Sequence, residues 1–166
     1  PLLEKDNLPL FMAAVRDYAA VRAEVDERYK WYRSKGLLKT VLLPNVREGL
    51  ERTLSFSYAI GVYSNGTKEN INQLLREGGI EGLVQEVVSV DDVGLKDRPD
   101  SYERLKAHLG SNRLVVVSFA DDGLRYCEAA VQSGVIPEVY HVKPDGKGST
   151  AVPGVRWIAS VADIDK

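Results

Sequence analysis

Three polar stretches, each standing just after a short apolar run, carry the residues of this 166-residue chain that could do chemistry. Ser64-Asn65-Gly66-Thr67 offers a small hydroxyl and backbone N–H groups at the start of a helical pattern, which suits a phosphate or a carboxylate. Lys96, shortly before Pro99, could neutralise an anionic nucleophile and an incoming phosphoryl group. Asp121-Asp122-Gly123 places two hard oxygen ligands side by side, a choice that suits Mg²⁺. Each stretch also has a plain structural reading. Ser64 or Thr67 could cap a helix, Lys96 could be a solvated surface lysine, and either aspartate could cap the helix that follows.

The elements that must hold these residues follow from the hydrophobic period. From Pro44 onward, helical patterns over 45–54, 68–77, 100–109 and 124–133 alternate with apolar runs over 58–63, 86–90, 114–118 and 139–142. A last short run covers 155–158, after a polar loop over 143–153. Near-continuous apolar strands separated by amphipathic helices predict an α/β fold, a doubly wound, Rossmann-like parallel sheet with helices on both faces. Ligands of such sheets bind beyond the carboxyl ends of the strands, where the three polar stretches fall.

Residues 1–43 differ and form a separate helical segment ahead of a 44–166 core. The run 10–34 contains no Gly or Pro and predicts one long helix, with Asn7 and Pro9 before it and Gly36 after it. Ala14, Tyr18, Val21, Val25, Tyr29 and Tyr32 form one stripe. That stripe reads either as a face packed on the core or as a lid or dimer surface, and the second reading makes a homodimer through this helix an expected partner arrangement.

Composition removes several classes. Twenty-two basic against 24 acidic residues give a net charge of −2, which disfavours nucleic acid as the main partner. No apolar run approaches the roughly 18 residues that span a bilayer, so no membrane partner is expected. A lone cysteine, Cys127, excludes an internal disulfide framework and fits a reducing cytoplasm. His108 and His141 lack metal-ligand spacing, and Cys127 reads as a packing residue.

Taken in order, Ser-Asn-Gly, a Lys-x-x-Pro-x-x-Tyr element and an acidic strand end before a helix containing Ala129-Ala130 resemble the haloacid dehalogenase superfamily. The resemblance covers roughly residues 44–164, closing on Ile158 to Ile164. It implies that Ser64, with Asn65 and Gly66, holds the transferred group. It also implies that Lys96 steadies the nucleophile and that Asp121 or Asp122 binds the metal. Ser89 to Lys96 together with Tyr63 to Gly66 is similar to type II 2-haloacid dehalogenases, while Lys96 with Ser101-Tyr102 is similar to enolase-phosphatases. Adjacent acids at 121–122 favour a metal, and a metal favours phosphoryl transfer. Where the family usually has a further acid, four residues on, this chain has Tyr126.

The family's nucleophile lies in an Asp-x-Asp-x-Thr stretch on its first strand, and no such stretch precedes Ser64. Three readings stay open. The stretch was cut away or lost, leaving the long helix as a cap remnant. Alternatively Leu2 to Asn7 is a degenerate version, with Glu4 as nucleophile and Asp6 as acid and metal ligand. Asp163-Ile164-Asp165 matches only in form and reads as the end of a terminal turn. The expectation is therefore a Mg²⁺-dependent phosphatase of a small phosphorylated metabolite. A dehalogenase and a catalytically silent binding or oligomerisation module are the alternatives.

Overall fold

A computed structural model describes residues 18–56, 58–144 and 152–164. The chain divides into two compact units, Pro1–Thr40 and Val41–Lys166. In the first, α1 (Tyr18–Ser34) ends where Gly36 takes a positive φ of 66°. The Leu37 N–H then reaches back to the Tyr32 carbonyl at 2.9 Å, closing the last turn. Glu27 and Lys30 pair along the helix at 3.2 Å, and Trp31 meets Tyr32 edge-on at 5.1 Å. Val25, Tyr29 and Trp31 are exposed. The upstream part of the predicted helix, with Asn7, Pro9 and Ala14, lies outside the described residues.

The second unit runs α2 (Val46–Ser55), β1 (Gly61–Ser64), α3 (Lys68–Glu77), β2 (Glu86–Ser89), the single turn α4 (Val90–Val93) and α5 (Pro99–Ser111). It continues with β3 (Ser118–Asp121), α6 (Leu124–Ser133), β4 (Glu138–Val142), β5 (Val155–Ile158) and a 3₁₀ turn over Val161–Asp163. All strand pairs are parallel: β1 with β2, and β3 with β4 with β5. The fold is a Rossmann-like α/β sandwich with helices on both faces.

β2 and β4 bury neighbouring residues on both faces, as a parallel sheet covered on each side requires. Tyr63, Val88, Phe119 and Val139 face one core with Tyr102 and Leu105 of α5 and Cys127 and Ala130 of α6. Their neighbours Val62 and Val87 face the opposite side, against Ile71 and Leu75 of α3 and Leu50 of α2. Tyr140, Val142 and Ile158 continue that second side over Val161 and Ile164.

The parallel sheet is laid out as two ladders, and among the described residues no hydrogen-bonded ladder joins β1 to β3. Tyr102, wholly buried, links them instead, meeting Tyr63 of β1 at 5.9 Å and Phe119 of β3 at 5.3 Å, both edge-on. The strand expected over 114–118 lies further along, at Ser118–Asp121. Its register opposes Ser118 to Glu138, so the residue before it meets Pro137, which has no N–H to donate. Val115 and Val117 are left exposed, at 82% and 47%. Asp121 is therefore the last residue of the strand.

The 3₁₀ turn is locked by Ser160 and Asp163, whose N–H and carboxylate bond at 3.1 Å. Asp163 is thus a cap of the terminal turn. Gly49 of α2 sits against that turn: a Cβ there would fall 2.8 Å from the Ala162 nitrogen. Alanine is the better helix former by ~1 kcal/mol, yet Gly49→Ala should destabilise the protein by about 1–3 kcal/mol through overpacking. Urea unfolding checks this, and an unchanged or raised midpoint would contradict the contact.

Candidate active site

Ser64 ends β1, and its Oγ accepts the Gly66 N–H at 3.1 Å, curling the chain into a tight turn. Thr67 does the capping that follows: its hydroxyl accepts the Asn70 N–H at 3.3 Å and opens α3. The cap reading of this stretch therefore belongs to Thr67, and Ser64 stands before the helix at the strand's carboxyl end. Asn65 reaches across to the next strand's loop, where its Oδ1 accepts the Lys96 backbone N–H at 2.9 Å.

Beyond β2 the backbone is built to deliver Lys96. Ser89 and Asp92 form a capping box, with the Ser89 N–H and hydroxyl both donating to Asp92 Oδ2 at 2.8 Å. Lys68, the first residue of α3, reaches Asp92 at 3.1 Å and ties this turn to the Ser64 loop. The turn then leaves through Gly94, whose φ of 98° favours glycine and whose Cβ would meet Ser101 Oγ at 2.8 Å. The Tyr63 hydroxyl donates to the Gly94 carbonyl at 2.6 Å.

Lys96 is no surface lysine. Its Nζ lies 2.6 Å from Asp121 Oδ2, with only 13% and 9% of the two side chains exposed. Asp121 uses its other oxygen to accept the Gly123 N–H at 2.8 Å. The Lys96 ammonium also stands 4.5 Å from the centre of the Tyr126 ring, on the first turn of α6. Asp122 is exposed, and its backbone carbonyl is bound by the buried His141 from β4, with Nε2 at 3.0 Å. Nε2 must carry the proton to donate there, and Nδ1 is buried without a partner.

The structure thus brings Ser64, Asn65, Gly66, Lys96, Asp121 and Asp122 to the carboxyl ends of neighbouring parallel strands. Glu4 and Asp6 lie outside the described residues. Tyr126, noted in the sequence only for standing where the family has a further acid, belongs to this surrounding, as does His141, which no motif signalled. The bond from the buried His141 ring to the Asp122 carbonyl gives this histidine a structural role.

Among the described residues no cluster of three or more His, Cys, Asp and Glu side chains is placed to hold a metal ion. Mg²⁺ asks less of a protein, often one or two carboxylates with water and substrate phosphate completing its shell. Asp122, open to solvent, fits that pattern as a single ligand. Asp121 fits it less well, because both of its oxygens already accept protein donors. Cys127 has no part here. It is fully buried, its thiol bonds the Tyr140 carbonyl at 3.4 Å, and burial pushes its pKa up to about 12.

Fold and strand-end residues together define a Rossmann-like α/β protein with its polar residues at the sheet's carboxyl edge. The chain belongs to the haloacid dehalogenase-like hydrolases, whose family model matches residues 11–136. No curated protein sequence matches significantly. Among solved structures, the chain is similar to a crystal structure of a dehalogenase, at 21% identity and a TM-score of 0.64, covering 75% of this chain and 55% of that one. It is also similar to a HAD phosphatase from Thermococcus onnurineus, at 19% identity and a TM-score of 0.59, covering 72% and 54%. A third is YfnB from Bacillus subtilis, described as a HAD-hydrolase bound to magnesium, at 13% identity and a TM-score of 0.59, covering 72% and 53%. The chain spans little more than half the length of these structures, and the likeness is one of fold.

The Asp92 box makes a pH prediction. Burial pushes the Asp92 carboxyl up, but the Ser89 N–H and hydroxyl and the Lys68 ammonium outweigh it and hold it below the usual carboxylate range. A depressed folded-state pKa gives stability that is present above about pH 4 and lost as pH falls through the folded value. Asp92→Asn should lower stability near neutrality by about 1 kcal/mol and flatten the acid limb of a denaturation–pH profile. A variant profile parallel to the wild type would contradict this.

Proposed function

We propose that the chain is the core of a Mg²⁺-dependent phosphatase acting on a small phosphorylated metabolite. The observation that carries this reading is the nearly buried Lys96–Asp121 pair at the strand ends, tied to the Ser64 turn through Asn65. A lysine held at that edge by a carboxylate is positioned to offset charge on a transferring phosphoryl group. Ser64 offers its hydroxyl to a phosphoryl oxygen, and the Gly66 turn behind it fixes that hydroxyl's direction. Asp122, exposed at the end of β3, is the residue of this unit to hold Mg²⁺. The ion, when bound, supplies Lewis-acid stabilisation of the phosphoryl charge. Glu4 is assigned as nucleophile and Asp6 as acid and base on the degenerate-motif reading. A cytoplasmic setting goes with the proposal, since the single, buried cysteine leaves no internal disulfide to form.

One observation favours a second reading, a metal-independent dehalogenase. Both Asp121 oxygens are engaged by Lys96 and Gly123, which leaves Asp122 as the one open acid of the pair. The two readings separate in a single pair of assays. Phosphate release from p-nitrophenyl phosphate should require Mg²⁺, vanish on chelation and fall by about 10²-fold or more in Lys96→Met. Chloride release from 2-chloropropionate that survives chelation would replace this reading by the second. No release of either ion would leave a catalytically silent member of the family.

A further inference from the structure

Arg125 differs from its surroundings in being held without being neutralised. Its guanidinium lies 4.7 Å from the centre of the Tyr126 ring, and its Nη2 donates to the Tyr126 hydroxyl at 2.6 Å. Among the described residues no carboxylate reaches it at ion-pair distance, although Asp97 and Asp121 lie near enough to feel its charge. The ring that holds it is itself firmly seated. A Cβ at Gly123 would fall 2.5 Å from the Tyr126 side chain, so glycine is what lets the ring lie there, and the Tyr102 hydroxyl grips the Tyr126 carbonyl at 2.9 Å.

That same ring carries the Lys96 ammonium at 4.5 Å. Lys96 is neutralised by Asp121, and Arg125 is not. Both cations therefore stand against one aromatic ring, at 4.5 and 4.7 Å from its centre, Lys96 nearly out of solvent and Arg125 exposed on the first turn of α6. Arginine fixed on an aromatic face keeps its remaining donors in a planar fork, the geometry that matches a carboxylate at two points. Fixing a long side chain costs conformational entropy, and a carboxylate arriving from solution would meet donors already ordered.

We propose that Arg125 is a substrate-recognition residue, and that the molecule bound at Ser64 and Lys96 carries a carboxylate a few bonds from the group that reacts. The Arg125 fork takes that carboxylate while the phosphoryl end lies at the strand ends. This inference names the substrate class of the site and rests on the phosphatase reading for the identity of the other end.

Isothermal titration of the full chain with two non-hydrolysable probes tests it. 3-Phosphonopropionate carries a phosphonate and a carboxylate, and methylphosphonate carries the phosphonate alone. The wild type should bind 3-phosphonopropionate at least tenfold more tightly. Arg125→Gln should reduce that ratio to less than threefold, and Arg125→Lys, which keeps the charge and loses the fork, should fall between. A wild-type ratio near one, or a ratio equally large in Arg125→Gln, would overturn the proposal. Circular dichroism of each variant excludes misfolding as the cause of a lost ratio. The ratio reads recognition without turnover, so failure of the phosphatase assay with the ratio intact would overturn the hydrolase reading and leave the recognition role standing.

Discussion

The Lys96 ammonium meets the Asp121 carboxylate at 2.6 Å with both side chains almost out of solvent, and the rest of the site is arranged around that contact. Such a pair is tolerated only when each charge is fully met, because an uncompensated buried charge costs several kcal/mol. Asp121 is accordingly satisfied twice, by Lys96 and by the Gly123 N–H. Lys96 is held from behind by Asn65 and lies over Tyr126. Its partner comes from β3, the first strand of the other ladder. Charge pairing at the sheet's carboxyl edge and the Tyr63–Tyr102–Phe119 contacts beneath it join two ladders that share no strand hydrogen bonds among the described residues.

This arrangement explains why the residues of three separate stretches act as one unit. Lys68 to Asp92, Asn65 to Lys96 and Lys96 to Asp121 form a chain of contacts from the turn after β1, through the turn after β2, to the end of β3. Each link fixes the next residue's backbone or side chain. The helices serve this site as scaffold, apart from Arg125 and Tyr126 on the first turn of α6. They supply the packed faces, α3 on one side and α5 with α6 on the other, against which the strand ends are held.

Much of the scaffold was legible in the sequence, because period and caps are local signals. The helical patterns at 68–77 and 124–133 coincide with Lys68–Glu77 and Leu124–Ser133, and the parallel α/β class follows from strands that bury both faces. Boundaries set by pairing were not legible. Leu114 to Val117 has a strand's composition, but its ladder starts only at Ser118, since Pro137 stands opposite the residue before it. Within the site, the residue types and their order were visible, and their pairings were not. Asn65 and Lys96 are 31 positions apart, and Lys96 and Asp121 are 25 apart. The β1–β2 register brings the first pair together, and packing through Tyr102 between the two ladders brings the second. Neither the motif position of Tyr126 nor the sequence around His141 shows that one lies against Lys96 and the other holds the Asp122 carbonyl; the fold does.

A double-mutant cycle on Lys96→Met and Asp121→Asn, read by urea unfolding, tests the central contact most directly. Each single variant strands a nearly buried polar partner, so each should lose about 3 kcal/mol or more. The double variant removes both charges and should lose clearly less than the sum, giving a coupling of about 2 kcal/mol. Losses that add to within about 0.5 kcal/mol would show that the two residues act independently, and the pair could not then be what joins the two ladders at the site.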